Sequence, residues 1–113
     1  MFVYSVRCEF GGDDPAGDPG LVDRWVDWMQ TAHIPDVLQA GALSAELIRI
    51  ESDRSCFIVN YQFESAITFA SYERDHAPRL RNDSLREFPS EVGLSYWRTC
   101  GEVVEQFPKK TED

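Results

Sequence analysis

The chain has 113 residues and a net charge of −9 at neutral pH, and 42% of its residues are hydrophobic. This composition is typical of one soluble globular domain, and the acidic excess argues against nucleic acid or an anionic membrane surface as a partner. No apolar run reaches the roughly 18 residues of a membrane span, and no secretory leader is recognisable, so we expect a cytoplasmic protein. The expected domain covers residues 1–108, and the charged residues 109–113 are expected to fray.

The first ten residues alternate apolar side chains with mixed ones, which is typical of a β-strand. Residues 11–20, GGDDPAGDPG, are rich in glycine, proline and aspartate, which predicts a loop. Three aspartates in this loop raise the question of calcium, but the alternating ligands and distal glutamate of a calcium loop are absent. We therefore expect a solvated turn and no metal site.

Residues 21–41 carry the longest helical pattern of the chain. Its apolar residues recur at spacings of three and four and predict one buried helix face: Leu21, Trp25, Trp28, Met29 and Ala32. Asp18 followed by Pro19 is a typical helix start. Because Pro35 lacks an amide hydrogen and disfavours a helical conformation at Ile34, we expect a kink there and a short second helical piece. Gly41 should end that piece with a left-handed cap.

The middle of the chain predicts a β-hairpin followed by a second helical region. Residues 42–50 and 56–63 read as two strands, and the short polar run 51–55 joins them. Ser65 is a suitable cap for the next helix.

The final third predicts helix and then strand. Pro78 should kink the second helical region, and Pro89 should close it. Residues 92–107 are strand-rich, with Gly101 as an expected bulge or bend. The complete order is β, α, β, β, α, β, which predicts an α+β, ferredoxin-like fold with a four-stranded antiparallel sheet and both helical regions on one face.

The uncovered face of this sheet is predicted to be apolar, because apolar residues occur in both alternating sets of the second and third strands. An exposed apolar face usually marks an interaction surface. We expect a second copy of the chain to cover it about a two-fold axis, which gives a homodimer.

His33 and His76 follow the two helical regions in similar settings, His33-Ile34-Pro35 and His76-Ala77-Pro78. A helix C-terminus and nearby carboxylates would favour an imidazolium at His33. The alternative is a structural histidine that binds the helix carbonyls freed by the proline. Two histidines without a third ligand do not define a metal site.

Tyr61, Trp97 and Arg98 fall on predicted strands and are candidates for the lining of a pocket between sheet and helices, where an arginine would bind a carboxylate. The alternative is that the aromatic residues are core and the arginine is paired internally. The arginines of residues 79–86 alternate with acids, as on a solvated helix face. The three cysteines are widely spaced and are expected to be buried thiols. No catalytic or cofactor-binding motif is present, so no cofactor is expected.

The chain also resembles an uncharacterised bacterial family of unknown function in the dimeric α/β-barrel, ferredoxin-like superfamily. The residues that carry the resemblance are Trp28-Met29, His33-Ile34-Pro35-Asp36-Val37-Leu38, Gly41, Tyr61, Ala77-Pro78-Arg79-Leu80 and Arg98-Thr99. It covers nearly the whole chain and implies the fold and the dimer, without implying an activity or a catalytic residue. The extended loop of residues 11–20 departs from the pattern, as does His76, where the family resembled has an aromatic residue.

Three functions fit these observations. The first is a noncatalytic protein that binds a small ligand or a partner, with His33, Tyr61, His76, Trp97 and Arg98 as candidate ligand-binding residues. The second is a haem-dependent or cofactor-independent monooxygenase, since the wider superfamily resembled includes haem-degrading and quinol-type monooxygenases. The third is a structural partner of a neighbouring gene product.

Overall fold

The computed structural model describes residues 1–11 and 20–109. The predicted helix start at Asp18 and Pro19, the aspartate-rich loop and most of the charged tail lie outside these residues. The described elements are β1 (Phe2–Phe10), α1 (Leu21–Trp28), a π-helical segment (Met29–His33), α2 (Ile34–Gln39), β2 (Ser44–Arg49), β3 (Cys56–Phe63), α3 (Ala66–Asp75), α4 (Ala77–Glu87), a short 3₁₀ turn (Ser90–Val92) and β4 (Leu94–Glu102). No helix among the described residues combines the length and the apolar character that a membrane span requires.

The four strands form one antiparallel sheet in the order β2-β3-β1-β4. This is the order of the ferredoxin-like fold, so the predicted fold class is confirmed. The register sets Tyr4 opposite Tyr61 and Val6 opposite Val59 on the two central strands. On the other side of β1, Val6 faces Arg98 of β4. Because side chains alternate along a strand, these residues all point to the same face of the sheet.

That face and the helices enclose the hydrophobic core. The strands contribute a buried set from β1 and β3: Tyr4, Val6, Cys8, Phe10, Phe57, Val59, Tyr61 and Phe63. The helices contribute a second set: Leu21, Trp25, Met29, Val37, Phe69, Tyr72, Ala77 and Leu80. Trp25 is fully buried and packs its ring against Phe10 and Phe57 at centroid distances of 5.6 and 4.9 Å. The apolar faces of strand and helix therefore determine the architecture.

Residues 21–39 are helical throughout, and a π-helical segment lies where the kink is expected. The backbone of Ile34 is helical, with φ −61° and ψ −46°, so the prediction that Pro35 disfavours a helical conformation there is wrong. The amide of Ile34 bonds to the carbonyl of Met29, five residues back. The wider π turn accommodates the proline ring that a regular α-helical turn would exclude.

Gly41 ends α2 as predicted. Its φ of 130° is positive, a conformation that glycine adopts without a steric penalty. The amide of Gly41 donates to the carbonyl of Leu38, and the amide of Ala42 donates to that of Val37. These two bonds form a Schellman motif, which turns the chain into β2.

The second helical region also begins and divides as predicted. The side chain of Ser65 accepts a hydrogen bond from the amide of Thr68 at 3.1 Å, which caps α3. The helix breaks at His76, whose φ of −126° is not helical, and α4 begins at Ala77 with a proline in its first turn. At His76 the helical backbone is interrupted, whereas at His33 it continues.

β4 is shorter and more regular than expected. It pairs with β1 without interruption from Leu94 to Glu102, and Gly101 lies opposite Val3 in that ladder. The predicted bulge at Gly101 is therefore absent. After β4, the amide of Val103 donates to the carbonyl of Met1. Residues 104–109 form an arm beyond the sheet, with bends at Phe107 and Pro108 and an ion pair between Lys109 and Glu105 at 3.0 Å.

The open face of the sheet is less apolar than predicted. In its centre Ser5 donates to Asn60 at 2.7 Å, and Arg7 pairs with Glu9 at 3.0 Å. Apolar side chains lie on the outer strands, where Ile48 and Trp97 are 38% and 52% exposed. The prediction fails because β1 and β3 direct most of their large apolar residues to the helices and leave Val3 and Ile58 in an otherwise mostly polar set.

Candidate functional site

A small cavity lies between the sheet and the helices and holds about 40 Å³. The residues that line it come from β1, β3 and β4 below and from the π-helical segment, α3 and α4 above: Tyr4, Val6, Cys8, Met29, His33, Val59, Tyr61, Tyr72, Leu80, Arg81, Ser84, Tyr96 and Arg98. Among them Arg98 is exposed, and His33, Arg81, Ser84 and Tyr96 are half-buried, so the cavity opens where the π-helical segment, α4 and β4 meet. Its volume suits about two or three water molecules, or a ligand fragment of a few atoms.

His33 reaches the cavity because it ends the π-helical segment. Its ring stacks on that of Trp28, with a centroid distance of 5.1 Å and an interplanar angle of 26°. The ring atom Nδ1 is buried and has no hydrogen-bond partner among the described residues. A buried polar atom without a partner is costly, so such an atom in a cavity is a candidate contact for a ligand or a water molecule.

Burial keeps His33 uncharged. It lowers the pKa of the imidazole from 6.5 to about 4, since the charged form loses its hydration. The carboxylates of Asp36 and Asp83 act in the opposite direction, and the charge of Arg98 adds to the lowering. At neutral pH His33 is therefore a neutral imidazole, and the imidazolium expected from the helix terminus is not favoured.

Burial also acts on three phenols and one thiol of the lining. All four tyrosines of the chain line the cavity. Burial raises the pKa values of Tyr61 and Tyr72, and it raises that of Tyr96 to about 12. The pKa of the Cys8 thiol is likewise raised to about 12, mainly by burial. The cavity thus presents neutral hydroxyl and thiol groups at physiological pH.

Two arginines provide positive charge at the cavity. Arg81 is paired with Glu73, at 2.9 and 3.1 Å from its two carboxylate oxygens. Arg98 donates from Nε to the hydroxyl of Tyr4 at 3.1 Å, and its guanidinium carbon lies 5.3 Å from the ring centre of Tyr96. No carboxylate forms an ion pair with Arg98 within residues 1–11 and 20–109. Arg98 is itself exposed, and its contacts in the described residues are with the two tyrosines Tyr4 and Tyr96.

The structure brings together three of the five residues predicted for the site, His33, Tyr61 and Arg98. Trp97 was expected in the same pocket, but it lies on the open face of the sheet, because neighbours on a strand point to opposite sides. His76 does not line the cavity, since the helix break turns the chain at that residue. The similar sequences around the two histidines therefore do not give similar positions.

Several lining residues were not among the predicted site residues. Tyr4 and Cys8 belong to the apolar alternation of β1, and Tyr96 shares the strand face of Arg98, so the period-two pattern was an available signal. Arg81 was predicted on a solvated helix face, yet it lies at the rim of the cavity. The mixed charges along α4 do not indicate which of its arginines faces the cavity, so the position of Arg81 could not be predicted from the pattern.

In the described residues, no three histidine, cysteine, aspartate or glutamate side chains come close enough to hold a metal ion. The three cysteines are free thiols; Cys8 and Cys56 are buried, whereas Cys100 is exposed. The prediction of buried thiols is therefore wrong for Cys100, which lies near the end of the edge strand β4.

Residues 17–99 match the family model DUF4286, described as a domain of unknown function. The chain belongs to this family. The DUF4286 match includes His33, Tyr61 and Arg98 but not β1, which supplies Tyr4 and Cys8 to the same cavity. The expected membership in a family of unknown function is thereby confirmed. None of the curated proteins compared with the chain matches it in sequence.

Solved structures similar to this DUF4286 protein share its fold at low sequence identity. A dimeric ferredoxin-like protein from an uncultured marine organism matches with a TM-score of 0.67 and 13% identity, covering 96% of this chain and all of the other. SnoaB, a cofactor-independent oxygenase from Streptomyces nogalater, has a TM-score of 0.62 and 9% identity, with 96% and 97% covered. An antibiotic biosynthesis monooxygenase has a TM-score of 0.63 and 11% identity, with 93% and 100% covered. At these identities the likeness establishes the fold alone.

Proposed function

We propose that this protein binds a small polar ligand in the cavity between sheet and helices, without catalysing a reaction. The observation that carries the proposal is the unpartnered Nδ1 of His33, buried at a cavity that also contains Arg98 and four tyrosine rings. A buried polar atom without a partner costs about 1–3 kcal/mol, which a bound ligand would offset. An apolar wall with a few convergent polar groups is the usual character of a small-molecule site.

Native mass spectrometry of the protein purified from its own host, together with thermal shifts across a panel of small metabolites, tests this proposal. We expect a retained small molecule, or a raised melting temperature for at least one compound class. His33→Ala should abolish the response, and His76→Ala is the matched control that should preserve it. No retained molecule and no shift with any compound would contradict the proposal.

A cofactor-independent oxygenase is the second candidate. It is favoured by the free nitrogen of a neutral histidine in a small cavity, and SnoaB, with the same fold, is described as such an oxygenase. In this reaction Nδ1 would accept the proton of a phenol or enol, and the resulting anion would reduce dioxygen. However, a histidine with a pKa of about 4 is a weak base at neutral pH, whereas efficient general bases have pKa values nearer the working pH. Binding is therefore the better supported function.

Oxygen consumption separates the two candidates. With a hydroquinone as probe, the binding protein should leave the rate of oxygen uptake at that of the buffer. Uptake that requires His33 and survives His76→Ala would instead establish the oxygenase. The haem-dependent version does not fit, because the cavity of about 40 Å³ is far smaller than a porphyrin. A haem titration should accordingly give no Soret change that depends on His33.

The protein is further proposed to be a homodimer through the open sheet face. Two features support it: the exposed Trp97 and Ile48 on the outer strands, and the arm after β4, where Val104 and Phe107 are 97% and 72% exposed. Large exposed apolar side chains on an ordered surface usually mark an interface. A second copy would cover both the face and the arm. Sedimentation at micromolar concentration should give twice the mass of the chain, and a single-chain mass would contradict the dimer.

We also keep the bacterial cytoplasm as the predicted location. The free thiol of Cys100 supports it, since an exposed thiol persists best in a reducing compartment. Fractionation of the host cell, with the protein detected by antibody, tests this prediction.

A further inference from the structure

The cavity has one charged group without a counter-ion, the guanidinium of Arg98. Arg98 is on the edge strand β4 and points to the helix side of the sheet, opposite Val6. Its Nε is committed to the hydroxyl of Tyr4, which leaves the two terminal nitrogens for another partner. No carboxylate in the described part of the chain pairs with them.

Arg98 differs in this from the other arginine at the cavity, although Arg49 and Arg54, which do not line the cavity, also lack an ion pair in the described part of the chain. The chain carries 20 acidic residues against 11 basic ones, and Arg81, the other arginine at the cavity, has Glu73 as its partner. The Cys8 thiol and the phenols of Tyr61, Tyr72 and Tyr96 do not supply a negative charge, because burial raises the pKa value of each of them. The cavity therefore has positive charge in excess by the charge of Arg98.

The geometry of a guanidinium determines which anion suits it. Its planar array of donors matches the two oxygens of a carboxylate, and a paired, charge-assisted bond is stronger than one between neutral groups. Although Arg98 is exposed, the hydrogen bond to Tyr4 and the contact with the ring of Tyr96 favour one orientation of the group before a ligand arrives. This preorganisation lowers the cost of binding.

From this arrangement we propose that the ligand is a short-chain organic carboxylate. Its carboxylate would bind the terminal nitrogens of Arg98 at the rim, and a hydroxyl or carbonyl oxygen further along the molecule would reach toward Nδ1 of His33. The inference rests on the proposed function and adds the chemical class of its ligand. The volume of about 40 Å³ restricts the part of the ligand inside the cavity to a few heavy atoms.

Calorimetric titration of the full-length protein with acetate and glycolate, and with the neutral isosteres acetamide and glycolamide, tests the proposal. We expect the carboxylates to bind and the amides to bind at least about tenfold more weakly, the ratio expected for a charge-assisted hydrogen-bonded pair. Arg98→Gln should weaken carboxylate binding by a similar factor. Arg98→Lys retains the charge without the planar array of donors. Its affinity for the carboxylates should therefore lie between those of the wild type and Arg98→Gln.

Three controls keep the outcomes distinct. Arg79→Gln removes an exposed arginine of α4 and should change the affinity less than twofold, while Tyr4→Phe, which frees the Nε of Arg98, should weaken binding a few-fold. Melting curves of each variant identify any loss of folding. Equal binding of amides and acids, or an unchanged affinity in Arg98→Gln, would overturn the carboxylate inference and leave the binding function intact. If neither the carboxylates nor the amides bind and no other compound shifts the melting temperature, the carboxylate inference and the proposed binding function both fail.

Discussion

The two faces of the sheet are formed by the same four strands, yet they differ in almost every physical property. On the helix side, β1 and β3 bury aromatic and aliphatic residues around a small polar cavity. On the open side, the central strands carry hydrogen-bonded polar groups, and the large apolar residues lie on the outer strands. Adjacent residues such as Trp97 and Arg98 therefore have unrelated surroundings. The two proposals therefore concern different faces: ligand binding is proposed for the helix side and association for the open side.

The largest expected effect is on folding stability, from the loss of an aromatic side chain on the helix side. Phe63 is fully buried against Phe69 and Tyr72, with ring centroids 5.3 and 5.2 Å away. Phe63→Ala should reduce the free energy of unfolding in urea by about 3–5 kcal/mol. Gln62→Ala, one residue earlier on the open face, should change it by no more than about 0.5 kcal/mol. Similar losses for the two variants would contradict the contrast between the faces.

The second effect is a dependence of stability on pH that originates on the helix side. Because the pKa of His33 falls from 6.5 to about 4 on folding, the unfolded chain binds more protons between these values. The contribution of His33 to the free energy of unfolding is complete above pH 6.5. It is lost as the pH falls toward 4, and the loss is about 3 kcal/mol at most. Urea unfolding of the wild type and of His33→Gln at several pH values measures this loss. It is the difference between the two proteins in the slope of the free energy of unfolding against pH. His76→Gln should retain the wild-type slope.

The third effect concerns association through the open face. Trp97→Asp places a charge on that face and should raise the dissociation constant of the dimer at least about tenfold, since a buried unpaired charge is costly. Leu85→Asp is the matched control, because Leu85 is similarly exposed but lies on α4, on the other side of the sheet. Sedimentation equilibrium of the two variants gives the constants. A dimer that tolerates Trp97→Asp would exclude this face as the interface.

The smallest expected effect is a difference in reactivity between two thiols, one on β1 and one on β4. Cys8 is buried, and its pKa of about 12 leaves almost no thiolate at neutral pH, whereas Cys100 is exposed. An alkylating reagent should therefore modify Cys100 in the folded protein and modify Cys8 only after denaturation. Mass spectrometry of peptides after a short labelling time measures both. Rapid modification of Cys8 in the folded state would mean that the helices do not seal the inner face.

Much of the fold was predictable from the sequence, because local patterns and packing agree. The alternation in β1 and β3, the cap at Ser65 and the glycine at residue 41 each correspond to an observed element. The helix across Pro35 was not predictable from local rules. A π-helical turn is a small change in winding that depends on packing along the whole helix, and the proline alone indicated a break.

The site was only partly predictable, for a related reason. Tyr61 and Arg98 follow from strand periodicity, but choosing which of Trp97 and Arg98 points inward requires the register of β4 against β1. His33 was identified by its residue type and not by its position, and the same reasoning wrongly added His76. The charge of Arg81 suggested solvent, because sequence patterns do not report which side of α4 faces the rim of the cavity.

Titration of the His33 ring by nuclear magnetic resonance shows whether this residue is a neutral, half-buried group of a polar cavity. The chain has only two histidines, so His76→Gln assigns the signals without ambiguity. We predict that the ring of His33 remains neutral until the pH approaches 4 and that its pKa rises when a carboxylate occupies the cavity. A His33 that titrates near the ordinary value of about 6.5 would contradict the account.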